Sequence, residues 1–143
     1  AITSPSKNQQ LLDLGADQVI LRDVDLVDTL GENSIDVVID LVAGPQWPQF
    51  LQVLTPGGRY AVSGAIGGAL VELDIRTLYL KDLSFFGCTV LESKVFQNLI
   101  HCIEQGKITP IVAQTFPLEA IAQAQDVFLK KKHVGKIVLT IPD

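Results

Sequence analysis

Two small-residue turns and one serine–lysine pair are the places in this sequence whose residue types and spacing could meet a ligand. The turns are Val42-Ala43-Gly44, closing the apolar run around Val37, Val38, Ile39 and Leu41, and Ser63-Gly64-Ala65-Ile66, at the end of the run 59–64. Short side chains at such points let a ligand come close to the backbone. The pair is Ser4 and Lys7. Ser4-Pro5 reads as an N-cap followed by a first helical residue, which puts Lys7 in a helical first turn. The helix dipole disfavours a cation there by about 0.3–1 kcal/mol, and a bound phosphate would offset that cost. The plainer reading is a cap and a solvated lysine. Asp40 could act as an acid or base at the end of its run, but it reads better as a carboxylate capping the turn. Gly57-Gly58 reads as a turn only.

The other reactive side chains point away from thiol or metal chemistry. Cys88 and Cys102 lack ligand spacing and lie in apolar contexts, so each reads as a small buried hydrophobe outside any disulfide or metal site. His101 and His133 are the only histidines. Neither has an acidic or thiol neighbour in the pattern a metal needs, and both read as surface residues.

The elements that would position the two turns form one βαβ crossover. The run at 35–42 is nearly continuous in apolar residues, which suits a parallel strand covered on both faces. Trp47, Phe50, Leu51 and Leu54 then recur at i, i+3, i+4 and i+7 and line one helical face. Gly44-Pro45 opens that helix, Pro56-Gly57-Gly58 closes it, and 59–64 is the returning strand.

Around this crossover, 1–3 reads as the end of a strand, 5–14 as a helix stopped by Gly15, and 18–22 as a short strand. Residues 23–32 read as a loop with a short helix, 65–73 as a Gly-rich turn, and 75–80 as a helical turn. The β-branched and aromatic stretch 84–91 reads as a strand. Phe96, Leu99, Ile100 and Ile103 mark a helix over 93–105. Residues 111–116 and 135–141 read as strands flanking a helix over 118–132, with Leu118, Ile121, Phe128 and Leu129 turned inward.

At 143 residues with 48% hydrophobic and 19% charged residues, the chain reads as one globular domain with a real core. A net charge of −5 argues against nucleic-acid binding, which needs a basic face. Lys130-Lys131-Lys132 reads as a solvated last helical turn complementing the dipole. No apolar run reaches the roughly 20 residues that span a bilayer, and no signal peptide is visible, so a cytoplasmic protein with no membrane partner is expected. The chain contains no methionine and opens on Ala1, so a piece of a larger protein is expected.

The order of short motifs carries a resemblance. Leu14-Gly15-Ala16-Asp17, Asp36-Val37-Val38-Ile39-Asp40, Pro56-Gly57-Gly58-Arg59, Phe86-Gly87, Phe116-Pro117-Leu118-Glu119-Ala120 and Gly135-Lys136-Ile137-Val138-Leu139 together resemble the medium-chain dehydrogenase/reductase superfamily, nearest its quinone oxidoreductase and zinc-type alcohol dehydrogenase branches. The resemblance implies a Rossmann-like doubly wound parallel α/β sheet, truncated because the first strand and its Gly-rich pyrophosphate turn would precede Ala1. It also implies an amino-terminal domain, not present here, that holds the substrate pocket and in some members zinc. No catalytic residue therefore carries over, no zinc is expected on this chain, and the chain alone is expected to be inactive. Loss of the central strand leaves two edges facing a gap, a swapping hazard. Either the strands close the gap within one chain or two chains pair edges, and the resemblance makes the edge at 84–91 the contact of a homo-oligomer.

In such sheets an acid ending the second strand binds a free ribose hydroxyl, whereas neutral or basic groups accommodate a 2′-phosphate. Thr3, Ser4 and Lys7 stand there and no acid does, so the resemblance implies NADP rather than NAD, with Ser4 and Lys7 on the phosphate. It places Val42, Ala43 and Gly44 beside the nicotinamide-side ribose, Ser63, Gly64, Ala65 and Ile66 at the carboxamide, and Phe86, Gly87 and Cys88 nearby. For each group the competing reading is tight-turn chemistry. The implied function is the cofactor-binding portion of an NADPH-dependent reductase of quinones, carbonyls or activated alkenes. Two alternatives are a Rossmann-like methyltransferase, which the 54–58 turn also resembles, and a non-catalytic α/β assembly domain.

Overall fold

The computed structural model describes residues 1–90 and 92–142. In chain order the elements are β1 (Ile2–Thr3), a 3-10 turn (Pro5–Lys7), α1 (Asn8–Asp13), β2 (Ile20–Leu21), α2 (Leu26–Leu30), β3 (Ile35–Asp40), α3 (Trp47–Val53), β4 (Leu54–Val62), α4 (Ile75–Leu80), β5 (Ser84–Gly87), α5 (Ser93–Glu104), β6 (Val112–Pro117), a second 3-10 turn (Leu118–Ala120), α6 (Ile121–Leu129) and β7 (Lys136–Thr140). All strand pairs are parallel, as a Rossmann-like α/β chain requires, and they are distributed over three sheets. The residues fall into two compact units, Val24–Glu92 and Ala1–Asp23 with Ser93–Asp143.

The unit Val24–Glu92 carries the crossover. Its sheet has the order β3-β4-β5, with Val38 beside Tyr60 beside Phe85 and Ile39 beside Ala61 beside Phe86. The first row faces α3. There Trp47 meets Tyr60 and Phe85 edge-on at 5.9 and 6.0 Å, and Phe50 lies 6.5 Å from Tyr60. Leu26, Leu51, Val53 and Leu54 complete this core. The second row points the other way, with Ile39 exposed at 69%, Phe86 exposed and Ala61 half-buried between them. Coverage of β3 on both faces, expected from its unbroken apolar run, is thus not found: successive side chains alternate across a strand, and α3 covers one face alone.

The helix ends earlier than Pro56-Gly57-Gly58 suggested. Leu54 is already extended at φ −63° and ψ 134°, and it pairs with Ile35 while Arg59 pairs with Val37. Residues 55–58 therefore bulge from β4, with Gly57 at φ +77°. The helix terminus is closed from elsewhere in the chain. The Lys81 ammonium donates to the carbonyl oxygens of Leu51, Gln52 and Leu54 at 2.9, 2.8 and 2.9 Å, meeting acceptors that a helix end leaves open. Burial pulls the Lys81 amine below its ordinary pKa.

In the other unit β1 pairs with β2, Ile2 opposite Ile20, and β6 pairs with β7, Phe116 opposite Leu139, across α6. Thr3, Ile20, Phe116 and Ala124 are buried. The helices form where apolar periodicity placed them, but their apolar faces are open: Phe96, Leu99 and Ile100 on α5, and Leu118, Ile121, Phe128 and Leu129 near and on α6, are exposed. Periodicity establishes which residues share a face, and burial of that face needs a partner surface of matching area. The strand expected over 84–91 is ordered as strand only to Gly87, and its last residue, Leu91, lies outside the described residues.

Candidate functional site: two joined turns at a sheet edge

The unit Val24–Glu92 brings the two small-residue turns together. At the end of β3, Asp40 is 4% exposed. Its Oδ1 accepts hydrogen bonds from the Val42 and Ala43 amides at 2.8 and 2.9 Å, and its Oδ2 accepts one from the Tyr60 hydroxyl at 2.7 Å. This is the turn-capping role read from its position, with a buried phenol added that the sequence did not reveal. The capped turn passes through Ala43 at φ +54° and Gly44 at φ +87°, and the Gly44 carbonyl accepts from the Trp47 amide at 3.0 Å as α3 begins.

The second turn is bonded to the first. The Ser63 amide donates to the Asp40 carbonyl at 2.9 Å, the Gly67 amide to the Val42 carbonyl at 2.7 Å, and Ala43 bridges to Gly68 in parallel. The close approach expected at these small residues is made by backbone. A Cβ on Gly44 would stand 2.5 Å from the Gly67 oxygen, and one on Gly64 would stand 2.5 Å from the Leu41 oxygen. Phe86, Gly87 and Cys88 border the second turn through β5, where Gly87 pairs with Val62 and the Cys88 amide donates to the Val62 carbonyl at 2.9 Å. An open concavity of about 350 Å³ lies against the joined turns, between Gly44, Pro45 and Pro48 on one side and Gly68, Leu70 and Glu72 on the other. Gly67-Gly68 was the sequence signal that could have located it.

Ser4 and Lys7 belong to the other unit. Ser4 makes no side-chain cap; its hydroxyl pairs with that of Ser6 at 3.2 Å. Lys7 ends the 3-10 turn and is the N-cap residue of α1 rather than part of its first turn. Thr3 is buried. Cys88 and Cys102 are free thiols of intermediate exposure rather than buried. His101 is exposed, whereas His133 is half-buried with Nδ1 out of contact with solvent, a correction to its surface reading. No helix of the described residues is long and apolar enough to cross a membrane.

Tyr60 gives the site a pH signature. Burial, then the hydrogen bond and negative charge of Asp40, raise its phenol above the ordinary value of 10.0. An unfolded chain ionises this tyrosine near pH 10 while the folded chain keeps the proton, so the folded state binds more protons above that pH. The stability linked to Tyr60 is therefore fully present below its unfolded pKa and declines as pH rises toward the folded one. Urea denaturation between about pH 9 and 11.5 should show a steeper alkaline loss in the wild type than in Tyr60→Phe. Parallel curves would remove this linkage.

A parallel βαβ sheet whose small-residue turns gather at the strands' carboxyl ends defines the Rossmann-like class of α/β domain. Within that class the chain belongs to the zinc-binding dehydrogenase family, of the medium-chain dehydrogenase/reductase superfamily: the family model matches residues 14–139. It is 29% identical over 118 residues to the quinone oxidoreductase of Rattus norvegicus, covering 78% of this chain and 35% of that protein. It is 28% identical over 140 residues to the acryloyl-coenzyme A reductase of Metallosphaera sedula, covering 97% of this chain and 42% of the other. Among solved structures, a candidate alcohol dehydrogenase from Sinorhizobium meliloti 1021 superposes with a TM-score of 0.86 at 39% identity, over 99% of this chain and 41% of that one. The chain thus spans about two fifths of the length of such relatives. The match sets aside the methyltransferase alternative. The family name implies zinc, yet among the described residues no three His, Cys, Asp or Glu side chains stand together as ligands, so no zinc chemistry is derived for this chain.

Proposed function

We propose that this chain is the cofactor-binding portion of an NADPH-dependent oxidoreductase that reduces a quinone, a carbonyl or an activated alkene, and that it has no catalysis by itself. The observation carrying this reading is the joining of the β3–α3 turn to the loop after β4 at the carboxyl edge of a parallel sheet, where open α/β sheets take their ligands. Relatives named quinone oxidoreductase and acryloyl-coenzyme A reductase support the reaction class.

The bound nicotinamide would supply the hydride, and the protein's part is to bind and orient it. Val42, Ala43 and Gly44 present backbone on one side, and Ser63, Gly64, Ala65 and Ile66 on the other. Exposed Ile39, Leu41 and Ile66 add apolar surface beside them. At Gly87 nothing lies within 4 Å of where a Cβ would stand, which leaves room for a flat ring near Phe86 and Cys88. Residues 1–7 contain no acid, so Ser4 and Lys7 suit a 2′-phosphate rather than a free ribose.

Calorimetric titration of the chain with NADPH and NADH, repeated on Lys7→Ala, tests this. NADPH should bind more tightly than NADH, and Lys7→Ala should weaken NADPH alone, by roughly 3- to 10-fold for loss of one charge-assisted contact. Equal affinities unaffected by the substitution would overturn the NADP assignment, and binding of neither nucleotide would overturn the cofactor reading for this chain.

A further inference from the structure

We propose that Tyr60 and Asp40 act together as a positioning strut, through which the aromatic core of the Val24–Glu92 unit sets the backbone of the two dinucleotide-facing turns. The inference rests on the reading above that these turns meet the cofactor.

A carboxylate that merely caps a turn can do so at the surface, where water serves its second oxygen. Asp40 is buried, and its second oxygen instead takes a proton donor from the neighbouring strand, the Tyr60 hydroxyl at 2.7 Å. A buried acceptor without a donor costs more than an ordinary hydrogen bond contributes, so this contact fixes where the carboxylate can sit. The phenol has little freedom of its own. Its ring is held by Trp47 at 5.9 Å, Phe50 at 6.5 Å and Phe85 at 5.6 Å.

From Asp40 the constraint passes outward through two chains of contacts. Oδ1 holds the Val42 and Ala43 amides at 2.8 and 2.9 Å. That grip keeps Ala43 at φ +54°, a conformation costly for a residue with a side chain. The Val42 carbonyl then receives the Gly67 amide at 2.7 Å, which carries the position of the first turn into the second. Neither Tyr60 nor Asp40 is exposed, so neither touches a bound dinucleotide: their effect on binding runs through the backbone of Val42, Ala43 and Gly67.

The test compares Tyr60→Phe, Asp40→Ala, Asp40→Asn and, as a core control distant in sequence from both turns, Leu26→Ala, under conditions where each is folded. Amide exchange at Val42, Ala43 and Gly67 is read together with NADPH affinity and with emission from Trp47, the only tryptophan. In Tyr60→Phe, which keeps the ring stack and hence the emission, exchange at those three amides should accelerate roughly tenfold, with amides of the β3–β4 ladder unchanged. Its NADPH dissociation constant should rise by about the same factor. Asp40→Ala should exceed both effects, and Asp40→Asn, whose carbonyl still accepts from the turn while its amide faces the phenol oxygen, should restore most of the loss. Leu26→Ala should lower the melting temperature without changing NADPH affinity. Unchanged exchange in Tyr60→Phe would overturn the strut whatever the affinities. Faster exchange with unchanged NADPH affinity would reduce it to a stability element and overturn its role in binding. Should the wild type bind neither NADPH nor NADH while exchange responds as stated, the cofactor reading is what fails, and the positioning role falls with it.

Discussion

Replacing Gly44 by alanine is expected to cost the folded chain about 2–5 kcal/mol, while the same change at Gly57 costs about 1–2 kcal/mol. Both glycines have a left-handed backbone, at φ +87° and +77°, and an L residue forced into that region costs about 1–2 kcal/mol. The surroundings separate them. A Cβ at Gly57 would meet nothing within 4 Å, whereas one at Gly44 would stand 2.5 Å from the Gly67 oxygen and 2.7 Å from its carbonyl carbon. Those atoms are backbone, held by the hydrogen bond from the Gly67 amide to Val42 and by the bridge between Ala43 and Gly68, so they cannot swing aside as a side-chain tip would. Relief requires the two turns to part, at a strain cost typical of overpacking, about 1–3 kcal/mol. Urea midpoints of the two variants at equal slope measure the difference directly. A Gly44→Ala midpoint matching that of Gly57→Ala would mean that the turns are not in contact in solution. On the proposed cofactor reading, parted turns should also bind dinucleotide less well, in proportion to the population that remains closed.

The crossover was legible because its signals are local: an apolar run, a helical i, i+3, i+4 set, and Gly or Pro at each junction. The capping role of Asp40 was legible for the same reason, since an acid two and three residues ahead of the amides it serves needs no knowledge of tertiary structure. Its partner Tyr60 was not, because that contact joins positions 20 apart through a strand register that periodicity does not encode. The helix terminus was misplaced on similar grounds. Pro56-Gly57-Gly58 is a strong local stop, but the ammonium of Lys81 arrives from 27 to 30 residues away and closes the helix one turn sooner. For Leu118, Ile121, Phe128 and Leu129 the helical periodicity holds and the inward reading does not, since all four are exposed and nothing in a helix's own sequence supplies the surface that must cover it. At Gly44 and Gly64 the space a side chain would need is taken by backbone, that of Gly67 and of Leu41 respectively, a long-range packing that local turn residues do not encode.

Trp47→Ala is expected to be the most damaging single truncation in this unit, lowering stability by about 3–5 kcal/mol. The indole is 5% exposed and starts α3, so its removal empties the space between helix and sheet at the point where both Tyr60 and Phe85 rest on it, at 5.9 and 6.0 Å. Edge-to-face pairs of this kind contribute about 0.5–1.5 kcal/mol beyond the area they bury. Because the variant has no tryptophan left, unfolding is followed by circular dichroism. The double variant with Tyr60→Phe then separates two roles of the phenol. If Trp47 acts only by filling volume, the two losses add, since the hydroxyl and the cavity are independent. If the indole also holds the phenol in line with Asp40, then in the Trp47→Ala background the hydroxyl contact is already loosened, and removing it costs less than in the wild type by about 0.5–1.5 kcal/mol. A stability loss below about 1 kcal/mol for Trp47→Ala would show that the helix and sheet do not share this core. Strict additivity would confine the tryptophan to packing and leave Phe50 and Phe85 as the residues that fix the tyrosine ring.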